Sequence, residues 1–279
     1  MGGCGTQWSY PTARVGFLQD LNAVSFGAKM PRMWTVAGLL VCAVVSQGTA
    51  AVDAGPWEFH SSVWMSLHQT LIADAMRTTP RTLPELSPEE RSAWNDAVGA
   101  YRTAGGRDDM TFSRPMLITT DGLTQVADEA VDPLVDVPLK DALMAAAPVY
   151  RRHWWAADDQ ANRFFIHYAS AMMHDVGDAL VRAHETVYRA RWPERIRVYI
   201  APSGGPFGAY TIAGRSGGVI TTMSSRDAGY SGLRVVEMLL HESSHAIVNP
   251  NNGPVAAAIA AAAKKHSVEV PRDLWHAII

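Results

Sequence analysis

The stretch Leu233-Arg-Val-Val-Glu-Met-Leu-Leu-His241-Glu242-Ser243-Ser244-His245-Ala-Ile-Val-Asn-Pro250 decides how this chain is read. Leu233, Val236, Leu240, Ala246 and Ile247 recur at helical spacing. Ser231 or Gly232 can cap the start, and Pro250 stops the run. On a helix, positions i and i+4 lie one above the other on one face. His241 and His245 therefore stand side by side, at a spacing suited to one metal ion. Glu242 follows the first of them and reaches the space in front of such an ion. Residues 238–247 carry no charge except Glu242, as a buried metal-binding helix requires. His-Glu-x-x-His fixes only three positions of five, so chance matches occur and context has to carry weight. The competing interpretation is a half-buried helix with two hydrogen-bonded histidines and a solvated glutamate.

The flanks supply context. Arg195-Ile-Arg-Val-Tyr-Ile200 alternates with period 2, as a half-buried strand does. Pro202-Ser-Gly-Gly-Pro206 is a loop. Ala209–Ala213 and Gly218–Met223 read as two further strands joined by a Gly-rich turn. After Pro250-Asn-Asn-Gly253 comes an Ala-rich helix over 254–265, and Pro271 opens a last helix running to Ile279. This order of strand, hairpin, motif helix and further helix resembles the zincin metallopeptidases over about residues 195–279. Ile247, two places after the second histidine, fits their helix signature. Val248 and Asn251 stand where the metzincin subgroup has its extra Gly and His. The resemblance implies an α+β, zincin-like fold, mostly helical, with a small β-sheet preceding the motif helix. It also implies one zinc ion and a hydrolase acting on a peptide or protein.

Under that resemblance His241 and His245 are zinc ligands. Catalytic zinc takes three protein ligands and keeps a position for water. Bound zinc acidifies the water and polarises the scissile carbonyl, and Glu242 is the general base that moves the water's proton to the leaving amine. His266, Glu269 and His276 follow at workable distances as third ligand. Glu269 and Asp273 match the E-x-x-x-D spacing of the gluzincins, but Pro271 falls inside that pattern, and Pro belongs at a helix start. His276, on the helix that Pro271 opens, is the preferred ligand and Glu269 the alternative. The chain stops within apolar Trp275–Ile279 without a cap, so a continuation carrying a glutamate ligand is a further expectation. Tyr210, Tyr230 and Arg226 are candidate oxyanion donors. Val219–Met223 is expected at a sheet edge facing the cleft, where a substrate could add as a strand.

A second motif competes. Gly214-Arg-Ser216-Gly-Gly218 fits the G-x-S-x-G nucleophile elbow, with Asp227 and His241 following in the order α/β-hydrolases use. That elbow needs a strand before it and a helix after it. Here β-favouring residues sit on both sides, which favours a hairpin turn over a serine hydrolase.

The resemblance does not extend to the helices before residue 193. Trp57 to about Arg77 reads as one amphipathic helix, with His60, Trp64, Leu67, His68 and Leu71 on a common face. Ser87-Pro-Glu-Glu90 opens a helix to about Arg102, with Ser at the cap and Pro first. Residues 139–155 and 158–192 read as helical, with Phe165, Met173, Val176, Leu180, Ala183 and Val187 as a core stripe and His167 and His174 as structural residues.

The N-terminus reads as a leader. Met30-Pro-Arg-Met33, an apolar run Trp34–Val45, and small residues Gly48-Thr-Ala-Ala51 follow the order of a secretory signal peptide. The run is 12 residues, and spanning a bilayer takes about 20. The expected organisation is thus a leader and signal peptide over 1–51, a helical part over 52–192, and a catalytic part over 193–279, with Met30 as the true start. The protein is expected to be exported, periplasmic or extracellular, and free of the membrane after cleavage. Both cysteines, Cys4 and Cys42, fall in the leader. The chain of 279 residues is 48% hydrophobic and 18% charged, so it can bury a core. Its net charge is −3 with no basic tract, which argues against a nucleic-acid partner. The rival functions are a zinc hydrolase acting on something other than a peptide, and a non-catalytic exported helical domain with an incidental motif.

Overall fold

The computed structural model describes residues 51–279 apart from 80–82, 84, 107–109, 129, 131–135, 216, 250, 252 and 272–273. The leader, with Cys4, Met30 and Cys42, lies outside the described residues, as does Ser216. Among the described residues no helix is long and apolar enough to cross a membrane.

The fold is α+β, built on a mixed five-stranded sheet. Its strands are β1 (Val52–Ala54), β2 (Trp57–His60), β3 (Ile196–Ala201), β4 (Ala209–Ala213) and β5 (Val219–Ser224), in the spatial order β1-β2-β3-β5-β4. β2, β3 and β5 are parallel, while β1 and β4 run antiparallel at the two edges. The sheet therefore crosses the boundary expected at residue 193, because β2 pairs along β3 from Trp57↔Ile196 to His60↔Tyr199. All described residues fall within a single unit.

Two expectations are corrected here. Trp57 to Arg77 is not one helix. Trp57 and Phe59 are buried while Glu58 and His60 are partly exposed, the alternation of a strand. Ser62 then accepts a hydrogen bond from the Met65 N–H and caps α1 (Val63–Met76). The second correction concerns β5, which lies inside the sheet, between β3 and β4. Tyr210 and Ile212 of the hairpin take its outer side, so the cleft-facing edge belongs to β4.

Helices cover both faces, so β3 is buried on both sides rather than half-buried. One face carries Tyr199, Tyr210, Ile212 and Ile220 and packs on α1, α2 (Pro88–Gly105), α3 (Arg114–Leu123) and α4 (Lys140–Tyr150). Trp64, Leu67, Leu71, Trp94 and Leu143 fill this core. The other face carries Trp57, Phe59, Val198, Ile200 and Met223 and packs on α5 (Ala156–Tyr188) and α6 (Leu233–Ser244). The predicted start of α2 is a capping box, with the Ser87 hydroxyl on the Glu90 N–H and the Glu90 carboxylate on the Ser87 N–H. Pro148 lies inside α4 and cannot donate to the preceding turn. A π-turn, Arg151–Trp155, follows and joins α4 to α5. Phe165 and Met173 of the α5 stripe are buried, whereas Val176, Val187, His167 and His174 are exposed, so those two histidines are surface residues.

His60 and His68 are taken up by structure. His60 stacks on Tyr199 and lies 3.2 Å from Asp128. His68 is fully buried between the Tyr101 hydroxyl at 2.7 Å and the Thr120 hydroxyl at 3.0 Å. Burial lowers its pKa from 6.5 to about 3. The unfolded chain thus binds a proton below about pH 6.5 that the folded protein refuses until about pH 3. This contribution to stability is complete above pH 6.5 and shrinks by about 1.4 kcal/mol per pH unit as pH falls through that window. The loss of unfolding free energy between pH 7.5 and 5.5, measured in urea, is expected to be about 1.4 kcal/mol smaller in His68→Gln than in the wild type. An equal loss in both would refute this account of His68.

Candidate metal centre and cleft

α6 begins at Gly232, whose φ of 59° suits glycine. Val235, Leu239 and Leu240 bury one side of α6 against the sheet. The helix is also pinned inside its own motif. Ser243 Oγ accepts a 2.8 Å hydrogen bond from the indole of Trp57 on β2, and Ser244 Oγ bonds back to the Leu240 carbonyl. With those sides fixed, Met238, His241 and His245 face a cleft of about 760 Å³. His241 lies in the last turn of α6 and His245 caps it, at the end where the helix dipole favours a cation.

The third wall comes from far along the chain. After α7 (Gly253–His266), a 3-10 turn over His276–Ile278 carries His276 to the pair. Sequence predicts a helix from Pro271 here; the bonds formed are i→i+3, such as Ala277 N–H to Leu274 C=O. The ring centroids are 5.3 Å apart for His241–His245, 5.0 Å for His241–His276 and 5.3 Å for His245–His276, nearly an equilateral triangle. One nitrogen from each ring lies within 4.8 Å of the other two, so this group can hold a metal ion. Ligands of one tetrahedral zinc at about 2.0–2.1 Å sit roughly 3.3 Å apart, so the three donors would draw closer together around an ion. Glu269 is exposed on the connection after α7 and is not in the group, nor is His266, the last residue of α7.

Electrostatics keep the imidazoles available. Burial, then the neighbouring rings, lower His245 to about 4, and burial, then His276, lower His241. Neutral imidazole is the metal-binding form. Glu242 lines the same cleft on its sheet side, against Thr211. It is nearly buried, and burial raises its carboxyl to about 7, against a hydrogen bond with Thr211 that lowers it. Thr211 on β4 was not singled out from sequence, because the contact joins two layers that only the tertiary fold brings together. Its hydroxyl also lies 2.9 Å from that of Thr221 on β5.

β4 is the open side of the sheet. Gly208 accepts from the Ser224 N–H and Gly214 donates to the Gly218 carbonyl. Hydrogen-bonded and non-hydrogen-bonded pairs alternate in an antiparallel ladder. In the register Ala209↔Met223 to Ala213↔Val219, Tyr210 and Ile212 therefore bond to β5. Ala209, Thr211 and Ala213 turn their N–H and C=O groups outward, away from the sheet. Gly208 before them has φ of 80°, and a side chain there would run into Asp227 and Tyr230.

Two of the three candidate oxyanion donors, Arg226 and Tyr230, are engaged as donors, and the buried Tyr210 is held as an acceptor. Arg226 pairs with Asp158, Tyr210 accepts a 2.7 Å hydrogen bond from Gln69 in the core, and Tyr230 donates to the Phe207 carbonyl at 3.0 Å. β4 ends at Ala213 and β5 begins at Val219, so the G-x-S-x-G stretch is followed by a strand and not by a helix.

No protein-family model, curated protein or solved structure matches the chain.

No residue of α7 is buried, and His276 itself is exposed. Segments with few buried contacts open locally at low free-energy cost. A metal bridging His276 to α6 should hold this segment down. Zinc added to chelator-stripped protein is expected to slow tryptic cleavage after Lys264 and Lys265 several-fold, by mass action on the closed form. The same cleavage in His276→Ala should not respond; a full response there would remove His276 from the ligand set.

Proposed function

We propose that the protein is an exported zinc-dependent metallopeptidase of the zincin type. The observation carrying this reading is the convergence of His241, His245 and His276 within 4.8 Å on a cleft that also holds the Glu242 carboxyl. Zinc, when bound, supplies a Lewis acid and a water acidified towards neutrality. One ring nitrogen each of His241, His245 and His276 would hold the ion, and three protein donors would leave a position for water. Glu242 stands next in sequence to His241 but on the sheet side, held by Thr211. Its carboxylate takes the proton of the attacking water and delivers it to the leaving amine. A carboxyl poised near neutral pH suits both halves of that transfer.

The open edge of β4 favours a peptide over other hydrolysable substrates. The outward N–H and C=O groups of Thr211 and Ala213, which are partly or fully exposed, can pair with an extended main chain, a mode of recognition that gives affinity without side-chain specificity. Thr211 lies beside Glu242, so a peptide laid on β4 passes the catalytic carboxyl. Mass spectrometry of a peptide mixture tests the reading. The zinc-loaded protein should generate internal cleavages, and a chelator should abolish them. Full cleavage under chelation would contradict it.

Export accompanies this reading. The basic, apolar and small-residue order of residues 29–51 places the mature N-terminus at Ala51 or Val52. Amino-terminal sequencing of protein collected outside the cytoplasm checks this, and residues 1–30 intact on cytoplasmic protein would overturn it.

A further inference from the structure

The walls of the cleft carry chemistry that neither metal binding nor proton transfer requires. Phe112, in a 3-10 turn before α3, packs edge-on against the Tyr210 ring at 5.8 Å. Phe207 immediately precedes Gly208 and β4. Both side chains line the cleft, yet they are 42% and 73% exposed. Met238, one turn before His241, and Trp275, 5.5 Å from the His245 ring, extend the apolar lining. Apart from Glu242 and the three histidines, no lining residue can carry charge near neutral pH. An exposed apolar wall beside a set of polar groups marks a binding surface.

We propose that the substrate is an extended peptide bearing a large apolar side chain, aromatic or leucine-like, close to the bond that is cut, and that Phe112 and Phe207 receive that side chain. The inference rests on the peptidase reading and adds the substrate class. A peptide strand paired with β4 advances about 3.3 Å per residue. Phe207 stands two residues before Ala209, and Phe112 packs on Tyr210, the residue before Thr211, which lies beside Glu242. The aromatic pocket therefore meets a substrate side chain within about two residues of the reacting bond. Alternate residues of a strand point to the same side, so one side chain is presented to the pocket while its neighbours point away. A carboxylate or ammonium placed there would leave water without a partner of opposite charge. A benzyl or isobutyl group would instead cover the exposed rings.

Binding is read apart from cleavage by using zinc-loaded Glu242→Gln protein and fluorescein-labelled decapeptides of Ala, Ser and Gly. The three probes carry Phe, Ala or Asp at one interior position. By anisotropy the Phe peptide should bind at least about tenfold more tightly than the Ala peptide, the usual reach of one apolar pocket, and the Asp peptide most weakly. Adding Phe112→Ala or Phe207→Ala, with native circular dichroism, should shrink the Phe-to-Ala ratio several-fold. Equal binding of the three probes, or preference for Asp, overturns the substrate class, and an unchanged ratio in both double variants overturns the pocket. Cleavage of the same peptides by the zinc-loaded wild type is scored separately. Cleavage without preference for Phe defeats this inference alone, whereas selective binding with no cleavage defeats the peptidase reading.

Discussion

Glu242→Gln is expected to keep about one zinc per chain and to lose peptide hydrolysis by roughly 10²-fold or more. The two halves of this result come from two features of the site. The carboxyl is not among the three groups that converge on the metal position, so the amide should leave binding intact. It is instead buried beside Thr211 and raised to about 7, which suits the proton-carrying role proposed for it. Glutamine keeps the shape and can still bond to Thr211, but it cannot take a proton. Metal content by plasma emission and turnover of a fluorogenic peptide give the two readings. Zinc lost from the variant, or turnover unchanged, would remove Glu242 from this role.

His276→Ala is expected to weaken zinc binding by roughly 10²-fold or more, since the affinity of such sites is shared among only three or four ligands. Glu269→Ala should change it by less than about twofold, because Glu269 lies in the exposed connection outside the group. Competition against a chromogenic chelator measures both. The reverse pattern would transfer the ligand to Glu269. His241→Ala should match His276→Ala, since the three ring centroids are almost equally spaced.

What could be read from sequence follows from how local each feature is. His241, Glu242 and His245 could be grouped because helical geometry alone sets the i, i+4 relation. The capping box of Ser87 and Glu90 is equally local. His276 lies far along the chain from His245, and no periodicity decides between it and Glu269; the structure brings the one to the pair and leaves the other out. β2 was hidden because Trp57-Glu-Phe-His60 is short and merges by eye with the apolar stripe of α1. Only the Ser62 cap separates them. The exchange of β4 and β5 had the same root. Both segments favour strands, and which one takes the edge depends on pairing with β3, a contact between distant parts of the chain. Phe112, Phe207 and Trp275 were not expected at the cleft for that reason too. Each is an ordinary apolar residue until tertiary packing leaves it lining the same cleft as His241, His245 and His276.

In the proposed site three imidazoles hold one zinc and leave a position open. Zinc K-edge absorption on the loaded protein tests this most directly. The account predicts three nitrogen scatterers with imidazole outer shells and one light oxygen, all at about 2.0–2.1 Å. A first shell with only two imidazoles, or one closed by a fourth protein ligand with no exchangeable oxygen, would contradict it.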